Sequence, residues 1–528
     1  MAGVHLEVEA KYDVDEGFAL PDLVDVFRAG REPGADDAAP WAEGAAAEHD
    51  LAATYYDTAD LRLAAARLTL RRRTGGEDAG WHLKVPRADG ARSEVRVDLA
   101  PGEDAGTDGP VPEQLVAMTW AVTLGHPLVP VARLRTHRAV RRLVDVTGRV
   151  LVEVADDHVT ARRVHPSDAP GDVVGAEQAW REVEVEVVDG PPDLLATAEP
   201  RLVELGLRPS ASASKLARTL GTEGAAPDEV GPALTAASPA GDVVLARLRA
   251  QVEQIRAQDL PVRLDTPGAV HAMRVATRRL RSALTTFERL LHRSATRPVR
   301  RELRWLAREL GAVRDAEVMR DRLAGAMADA VPDAPAAVAR EVSASLDGAY
   351  ATARERLLGA LDGDRYRALL RALDALLTET PWRGRAARPA SDVLPRLVRA
   401  ADDDVRAAVR AARREEDPAA RETARHEARK AAKRARYAGE AVAVVLGDDA
   451  AAYAEAMEAV QEALGEHLDA RHAGVLLERL AHDDASAATA FAYGRLHAHE
   501  ERRAAHAEAA VDAAWDAASG KDLRRWMR

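Results

Sequence analysis

The stretch Leu6-Glu7-Val8-Glu9-Ala10-Lys11 alternates apolar and charged residues, with two carboxylates and an ammonium at i, i+2 and i+4. Alternate residues of a strand leave the same face, so Glu7, Glu9 and Lys11 share one side. Taken alone, this is the polar face of an ordinary edge strand. Its meaning changes because the pattern recurs across residues 1–220. Arg71 and Arg73 share a face of LTLRRRT, with Leu68, Leu70 and Arg72 on the other. His82 and Lys84 align in WHLKVP, and Glu94 and Arg96 in SEVRV. Glu153, Ala155 and Asp157 align in VLVEVADD, and Glu182, Glu184 and Glu186 stand opposite Val183, Val185 and Val187. A solvent-washed face tolerates Ser, Thr, Asn and Gln, yet nearly every position here is ionised and both signs occur. The pattern predicts a closed antiparallel β-barrel with a charged, water-filled interior. One or two helices are expected among these strands, at 110–125 and 191–206.

From about Gly241 the texture changes to long Ala/Leu/Arg/Glu stretches of helical spacing. The segment between, GTEGAAPDEVGPALTAASPA (221–240), reads as a linker. The expected organisation is therefore 1–220, a linker at 221–240 and a helical domain at 241–528. At 528 residues the chain is long enough for two or more cores. Cysteine is absent, which excludes disulfides and thiolate metal sites and suits a reducing cytoplasm. The acidic start lacks the pattern of a signal peptide. No segment approaches the ~18 apolar residues of a membrane span. The expectation is a cytoplasmic protein with no membrane partner. A net charge of −12 argues against a surface built to coat nucleic acid.

Paired carboxylates bind Mg2+ or Mn2+ through oxygen, and Arg and Lys clamp phosphate oxygens. The residues at these spacings resemble those of the CYTH family, the triphosphate tunnel metalloenzymes, whose signature is E-x-E-x-K at the start of an eight-stranded tunnel. YYDTADLRLAAARLTLRRR (55–73), WHLKVP, Arg92/Glu94, the E-x-E-x-E of 182–186 and Ser214-Lys215-Leu216 follow in family order. The resemblance implies metal binding by Glu7, Glu9, Glu182 and Glu184. It implies phosphate binding by Lys11, Arg71, Arg73, Lys84, Arg138 and Lys215. Asp157, with Asp156 as its neighbour, matches the family's late acidic residue, and Lys11, Asp157, Arg71 and Arg73 are the expected catalytic group. Family members hydrolyse inorganic triphosphate or thiamine triphosphate, or cyclise ATP. The signature does not choose among them, but the scarcity of aromatic residues favours inorganic triphosphate.

The helical half repeats itself. His271-x-x-Arg274-x-x-x-Arg278-Arg279-x-Arg281 pairs with His426-x-x-Arg429-Lys430-x-x-Lys433-Arg434-x-Arg436. Leu310-Gly311-x-x-x-Asp315 likewise pairs with Leu464-Gly465-x-x-x-Asp469. The duplication predicts an all-α domain of two similar bundles, about 241–390 and 391–528. On a helix His271, Arg274, Arg278 and Arg281 fall on one face, as do His426, Arg429, Lys433 and Arg436. Acidic residues are nearly absent from these helices, so the aligned cations predict a polyanion groove. The motif resembles the CHAD domain, a duplicated helical domain that often follows a CYTH domain. That resemblance implies binding of inorganic polyphosphate by these residues together with Arg279, Arg314, Lys430 and Arg434, and association with polyphosphate granules. The expected function is metal-dependent hydrolysis of triphosphate or short polyphosphate. The alternatives are a polyphosphate scaffold without turnover, an adenylyl cyclase or a thiamine triphosphatase.

Overall fold

The computed structural model describes residues 3–28, 41–87, 92–99, 108–164, 176–191, 193–212, 214–221, 233–333, 336–482 and 486–528, with the backbone alone for 3–7. Two compact units divide the chain, Met1–Val230 and Gly231–Arg528. Most of the expected linker, 222–232, lies outside the described residues.

In the first unit ten strands form one antiparallel sheet: β1 (Gly3–Asp13), β2 (Ala42–Glu43), β3 (Ala47–Asp57), β4 (Thr69–Thr74), β5 (Gly80–Pro86), β6 (Arg92–Val97), β7 (Val129–Val144), β8 (Val150–Arg163), β9 (Gln178–Val187) and β10 (Arg208–Pro209). Their order is β10-β1-β6-β5-β4-β3-β7-β8-β9, and β9 also pairs with β1, Val8–Asp13 against Val187–Glu182. The eight long strands therefore follow one another round a ring, to which the two-residue β2 and β10 are appended.

The apolar core lies outside this ring. Val183 and Val185 of β9, Val152 and Val154 of β8 and Tyr12 of β1 are covered by α1 (Leu23–Arg28) and α4 (Leu194–Glu204). Alternation then turns the charged partners of these residues inward. Two more helices, α2 (Arg62–Ala65) and α3 (Glu113–Thr123), belong to the same unit. One stretch of the interior is apolar, contrary to the expectation of a wholly water-filled tunnel. Tyr55, Leu134, Val159 and Ala161 pack there with Leu216 and Leu220 of α5 (Lys215–Leu220).

The second unit is all-helical. Helices α6 (Ala240–Arg263), α7 (Ala269–Thr286), α8 (Arg293–Ala330) and α9 (Ala336–Asp362) are followed by α10 (Asp364–Thr378). The succession repeats in α11 (Ala390–Arg414), α12 (Pro418–Leu446), α13 (Asp448–His482) and α14 (Ala487–Ala518). The two copies meet at their starts. The Ala240 N–H donates to Arg388 O and the Ala390 N–H to Ser238 O, both at 2.8 Å. They are also interlocked, because Leu323, Val342, Leu477 and Leu496, from α8, α9, α13 and α14, share one core. Among the described residues, no helix is long and apolar enough to cross a membrane.

Candidate active site and basic helices

Strand register brings the inward charges face to face. Lys11 stands opposite Glu184 and Glu9 opposite Glu186. Arg138 stands opposite Asp157, Asp157 opposite Glu182, and Lys84 opposite Glu94. The two pairs between β1 and β9 join strands far apart in sequence and depend on closure of the ring, whereas the other three join strands consecutive in the chain. The ring holds a cavity of about 230 Å³ lined by Lys11, Arg71, Arg73, Lys84, Arg92, Arg96, Arg138 and Lys215 and by Glu9, Asp78, Glu153, Glu184 and Glu186. Tyr55 is the only aromatic residue among the described lining.

Asp157, Glu182 and Glu184 form an acidic cluster whose ligand oxygens lie within 4.8 Å of one another. Neighbouring Asp156 points the other way and is bound by Arg181 at 2.9 and 2.7 Å. Lys215, at the start of α5, inserts its ammonium among the three carboxylates, 2.9 Å from Asp157, 2.6 Å from Glu182 and 2.8 Å from Glu184. Arg138 forks onto Asp157 at 2.8 and 2.7 Å and reaches Glu184 at 2.5 Å. Lys11 bonds Glu184 and lies 3.4 Å from Glu9.

Burial pulls the Lys215 ammonium down, but Asp157, Glu184 and Glu182 outweigh it and hold it above the ordinary lysine range. Burial raises Glu184, and Lys11, Lys215 and Arg138 more than reverse this, keeping it well below the usual carboxylate range. Asp157 is likewise held low by Lys215 and Arg138 against burial. All three groups are therefore charged at neutral pH. Oε1 of Glu182 is buried, and beyond its ion pair with Lys215 it has no hydrogen-bond partner. Three converging carboxylates, one with a buried oxygen held only by an ion pair, fit a hard divalent cation. Glu9, whose Oε1 has ion pairs with Lys11 and Arg92 but no hydrogen bond, stands beside them. The Glu7 side chain lies outside the described residues.

The cationic wall is organised by Glu94, a residue the strand pattern singled out without giving it a role. Fully buried, it accepts from His82 Nδ1 at 2.9 Å and lies 3.9 Å from Arg71 and 4.0 Å from Lys84. Burial, with Arg71 and Arg73 nearby, lowers His82 to about 4, so its ring is neutral at pH 7. Arg73 is lowered by burial and then by Arg71 and Arg138. Its nearest acid is Asp78 of the β4–β5 turn. These arginines are crowded by like charge, which phosphate oxygens relieve.

In the helical unit, α7 and α12 pack together and join the two copies of the basic motif. Lys433 is lowered to about 7 by burial and then by Arg429, Arg278 and Arg274, with Asp469 opposing. Arg278 is lowered by burial and by Arg274, Arg429 and Arg281, with Tyr437 opposing. His271, exposed, is lowered by burial of its ring and by Arg314, Arg278 and Arg274. Arg281 is lowered by burial and by Arg304, Arg300 and Arg434, so the basic strip extends onto α8. His426 is exposed on α12.

The expected scarcity of acidic partners needs correction, because neighbouring helices supply several. Asp315 of α8 pairs with Arg274 at 3.1 Å, and Asp469 of α13 pairs with Arg429 at 3.2 Å. This explains the repeated Leu-Gly-x-x-x-Asp element. A Cβ on Gly311 would lie 3.7 Å from Arg274 Nη2, and one on Gly465 only 2.8 Å from Arg429 Nη2. Glycine thus lets each guanidinium lie against the facing helix and reach its aspartate. Arg279 and Arg436 both bond Glu440, Arg434 bonds Asp404, Lys430 bonds Glu427 and Arg314 bonds Glu317. Among the described residues, Arg278, Arg281 and Lys433 have no acid within ion-pair distance.

Residues 36–220 match the CYTH domain, and residues 246–478 match the CHAD domain. Two uncharacterised proteins of Mycobacterium tuberculosis, from strains CDC 1551 / Oshkosh and ATCC 25618 / H37Rv, are each 39% identical to this chain over 387 residues, which is 71% of this chain and 70% of theirs. Among solved structures, PptA from Streptomyces chartreusis is 27% identical with a TM-score of 0.44, covering 53% of this chain and 100% of that one. The CHAD domain from the plant Ricinus communis is 30% identical with a TM-score of 0.43, covering 54% of this chain and 93% of that one.

Proposed function

The chain belongs to the family in which a CYTH domain is followed by a CHAD domain, and on that premise we propose that its strand ring hydrolyses inorganic triphosphate or short-chain polyphosphate with Mg2+ or Mn2+, while its helical unit binds inorganic polyphosphate. The observation that carries this reading is the division of the ring's interior. A cluster of three carboxylates lies beside a wall of arginines and lysines.

Asp157, Glu182 and Glu184, with Glu9 beside them, would hold the cation. When bound, it supplies positive charge against the negative charge that builds on phosphoryl oxygens during hydrolysis. Arg71, Arg73 and Lys84 hold phosphate oxygens, with Glu94 fixing where Arg71 and Lys84 point. Lys11, Arg138 and Lys215 connect the two walls, since each pairs with Glu184 and lines the cavity. The small polar cavity, with Tyr55 its only described aromatic residue, supports a substrate that is all phosphate. The apolar packing around Leu216 and Leu220 supports a short chain over threading of a long one.

Phosphate release from triphosphate by the full chain should require Mg2+ or Mn2+ and stop with a chelator. Turnover undiminished in both Glu184→Gln and Arg71→Ala would remove the enzymatic half of the reading. For the helical unit, crowded cations on α7 and α12 support a polyanion ligand, and binding of long-chain polyphosphate with steep salt dependence tests it.

A further inference from the structure

Resting on the reading of Asp157, Glu182 and Glu184 as a cation site, we propose that Trp180 is a positioning residue that favours Mg2+ over Ca2+ by withholding one oxygen of Glu182. Trp180 stands two residues before Glu182 on β9, so both side chains leave the same face of the strand. The indole Nε1–H donates to Glu182 Oε2 at 2.6 Å. An indole nitrogen is a donor only, so this contact holds a carboxylate oxygen and offers no ligand to a metal. The other oxygen, Oε1, is buried and engaged only by its 2.6 Å ion pair with the Lys215 ammonium, which it shares with Asp157 and Glu184.

The indole is held from its far side. The Arg218 guanidinium lies over the ring, 4.9 Å from its centroid, and Arg218 Nη1 is anchored on Asp13 at 2.6 Å. The ring also packs on the apolar cluster of Leu216 and Leu220. Neither Trp180, Arg218 nor Asp13 lines the cavity, so this chain of contacts acts on Glu182 and not on substrate.

The consequence for metal choice follows from ligand demand. Ca2+ takes six to eight oxygens in a loose shell and readily accepts both oxygens of one carboxylate. Mg2+ takes six at short range and keeps to a stricter geometry. A glutamate with one oxygen tied to an indole has a single oxygen to give, which serves the smaller ion and deprives the larger one.

Titration calorimetry of the full chain with MgCl2 and with CaCl2 tests this in the wild type, Trp180→Phe and Glu184→Gln. Removal of the indole donor should weaken Mg2+ binding by about tenfold or more, the usual effect of losing a ligand-orienting group, while Ca2+ binding holds or rises. The Mg2+/Ca2+ affinity ratio should therefore fall by about tenfold or more. Wild-type binding with an unchanged ratio in Trp180→Phe overturns this inference and leaves the metal reading intact. Absence of saturable binding of either ion by the wild type overturns both. If Trp180→Phe does not fold, the wild type still reports. Saturating Mg2+ should shift the Trp180 indole N–H resonance in the NMR spectrum with the calorimetric midpoint, and the shift should be absent in Glu184→Gln. A Trp180 resonance indifferent to bound Mg2+ contradicts the proposal.

Discussion

The strand ring and the basic helices both concentrate buried charge, but they balance it differently. In the ring, acids and bases alternate across strands, and Lys215 alone touches three carboxylates. On α7 and α12 one sign dominates the centre, and Arg278, Arg281 and Lys433 have no acid at ion-pair distance among the described residues. A site of two signs serves chemistry on an anion that needs a cation beside it. A site of one sign serves retention of a polyanion. The difference separates a catalytic reading from a binding one within a single chain.

The largest expected effects break the ring's balance. Glu184→Gln leaves Lys11, Arg138 and Lys215 without their shared partner, and Arg71→Ala removes a cation proposed to hold phosphate. Each should lower the rate of phosphate release by about 10²- to 10³-fold, the usual cost of losing a group that stabilises transition-state charge. Long-chain polyphosphate binding should survive both. The converse is the second expectation. The Arg274/Arg278/Arg429/Lys433 quadruple alanine variant should lose long-chain polyphosphate affinity by more than about tenfold and flatten its salt dependence, with triphosphate turnover unchanged. Equilibrium binding at two salt concentrations reads this.

A third, smaller effect is a pH dependence confined to the helices. Lys433 is lowered to about 7 by burial and its arginine neighbours, so above pH 7 its free form is largely neutral. A bound polyanion restores the proton. Affinity should therefore be greatest below pH 7 and weaken as pH rises from 7 towards 10, by no more than about tenfold per unit, the slope of one proton. Lys433→Arg should flatten that profile. The smallest effect distinguishes the two copies. Gly465→Ala forces Arg429 to move, since a Cβ would come within 2.8 Å of its guanidinium, whereas Gly311→Ala leaves ordinary contact at 3.7 Å. The first should weaken polyphosphate binding severalfold and the second hardly at all.

Much of this was legible in the residues themselves because strand and helix periods act locally. Glu182, Glu184 and Glu186 share a face by alternation, and the repeat of His271 to Arg281 at His426 to Arg436 needs no structure to be seen. What lay beyond the sequence was long-range register. Nothing local says that Lys11 faces Glu184, or that Arg138 rather than Arg135 or Arg141 forks onto Asp157. The acidic partners of the basic helices were hidden for the same reason, since Asp315 and Asp469 sit on α8 and α13. Helices α1, α2 and α5 span six residues or fewer, too short to show a helical period, yet α5 delivers Lys215 to the acids. Trp180 stood in the inward series of β9, but only its indole geometry ties it to Glu182.

The most direct test of the central claim is phosphate release by the full chain across inorganic triphosphate, thiamine triphosphate, ATP and long-chain polyphosphate, with cyclic AMP measured in the ATP arm. Release should depend on Mg2+ or Mn2+, be fastest with inorganic triphosphate, form no cyclic AMP and be lost in Glu184→Gln. Preferred turnover of ATP or thiamine triphosphate, or no metal-dependent release from any of the four, would contradict the claim.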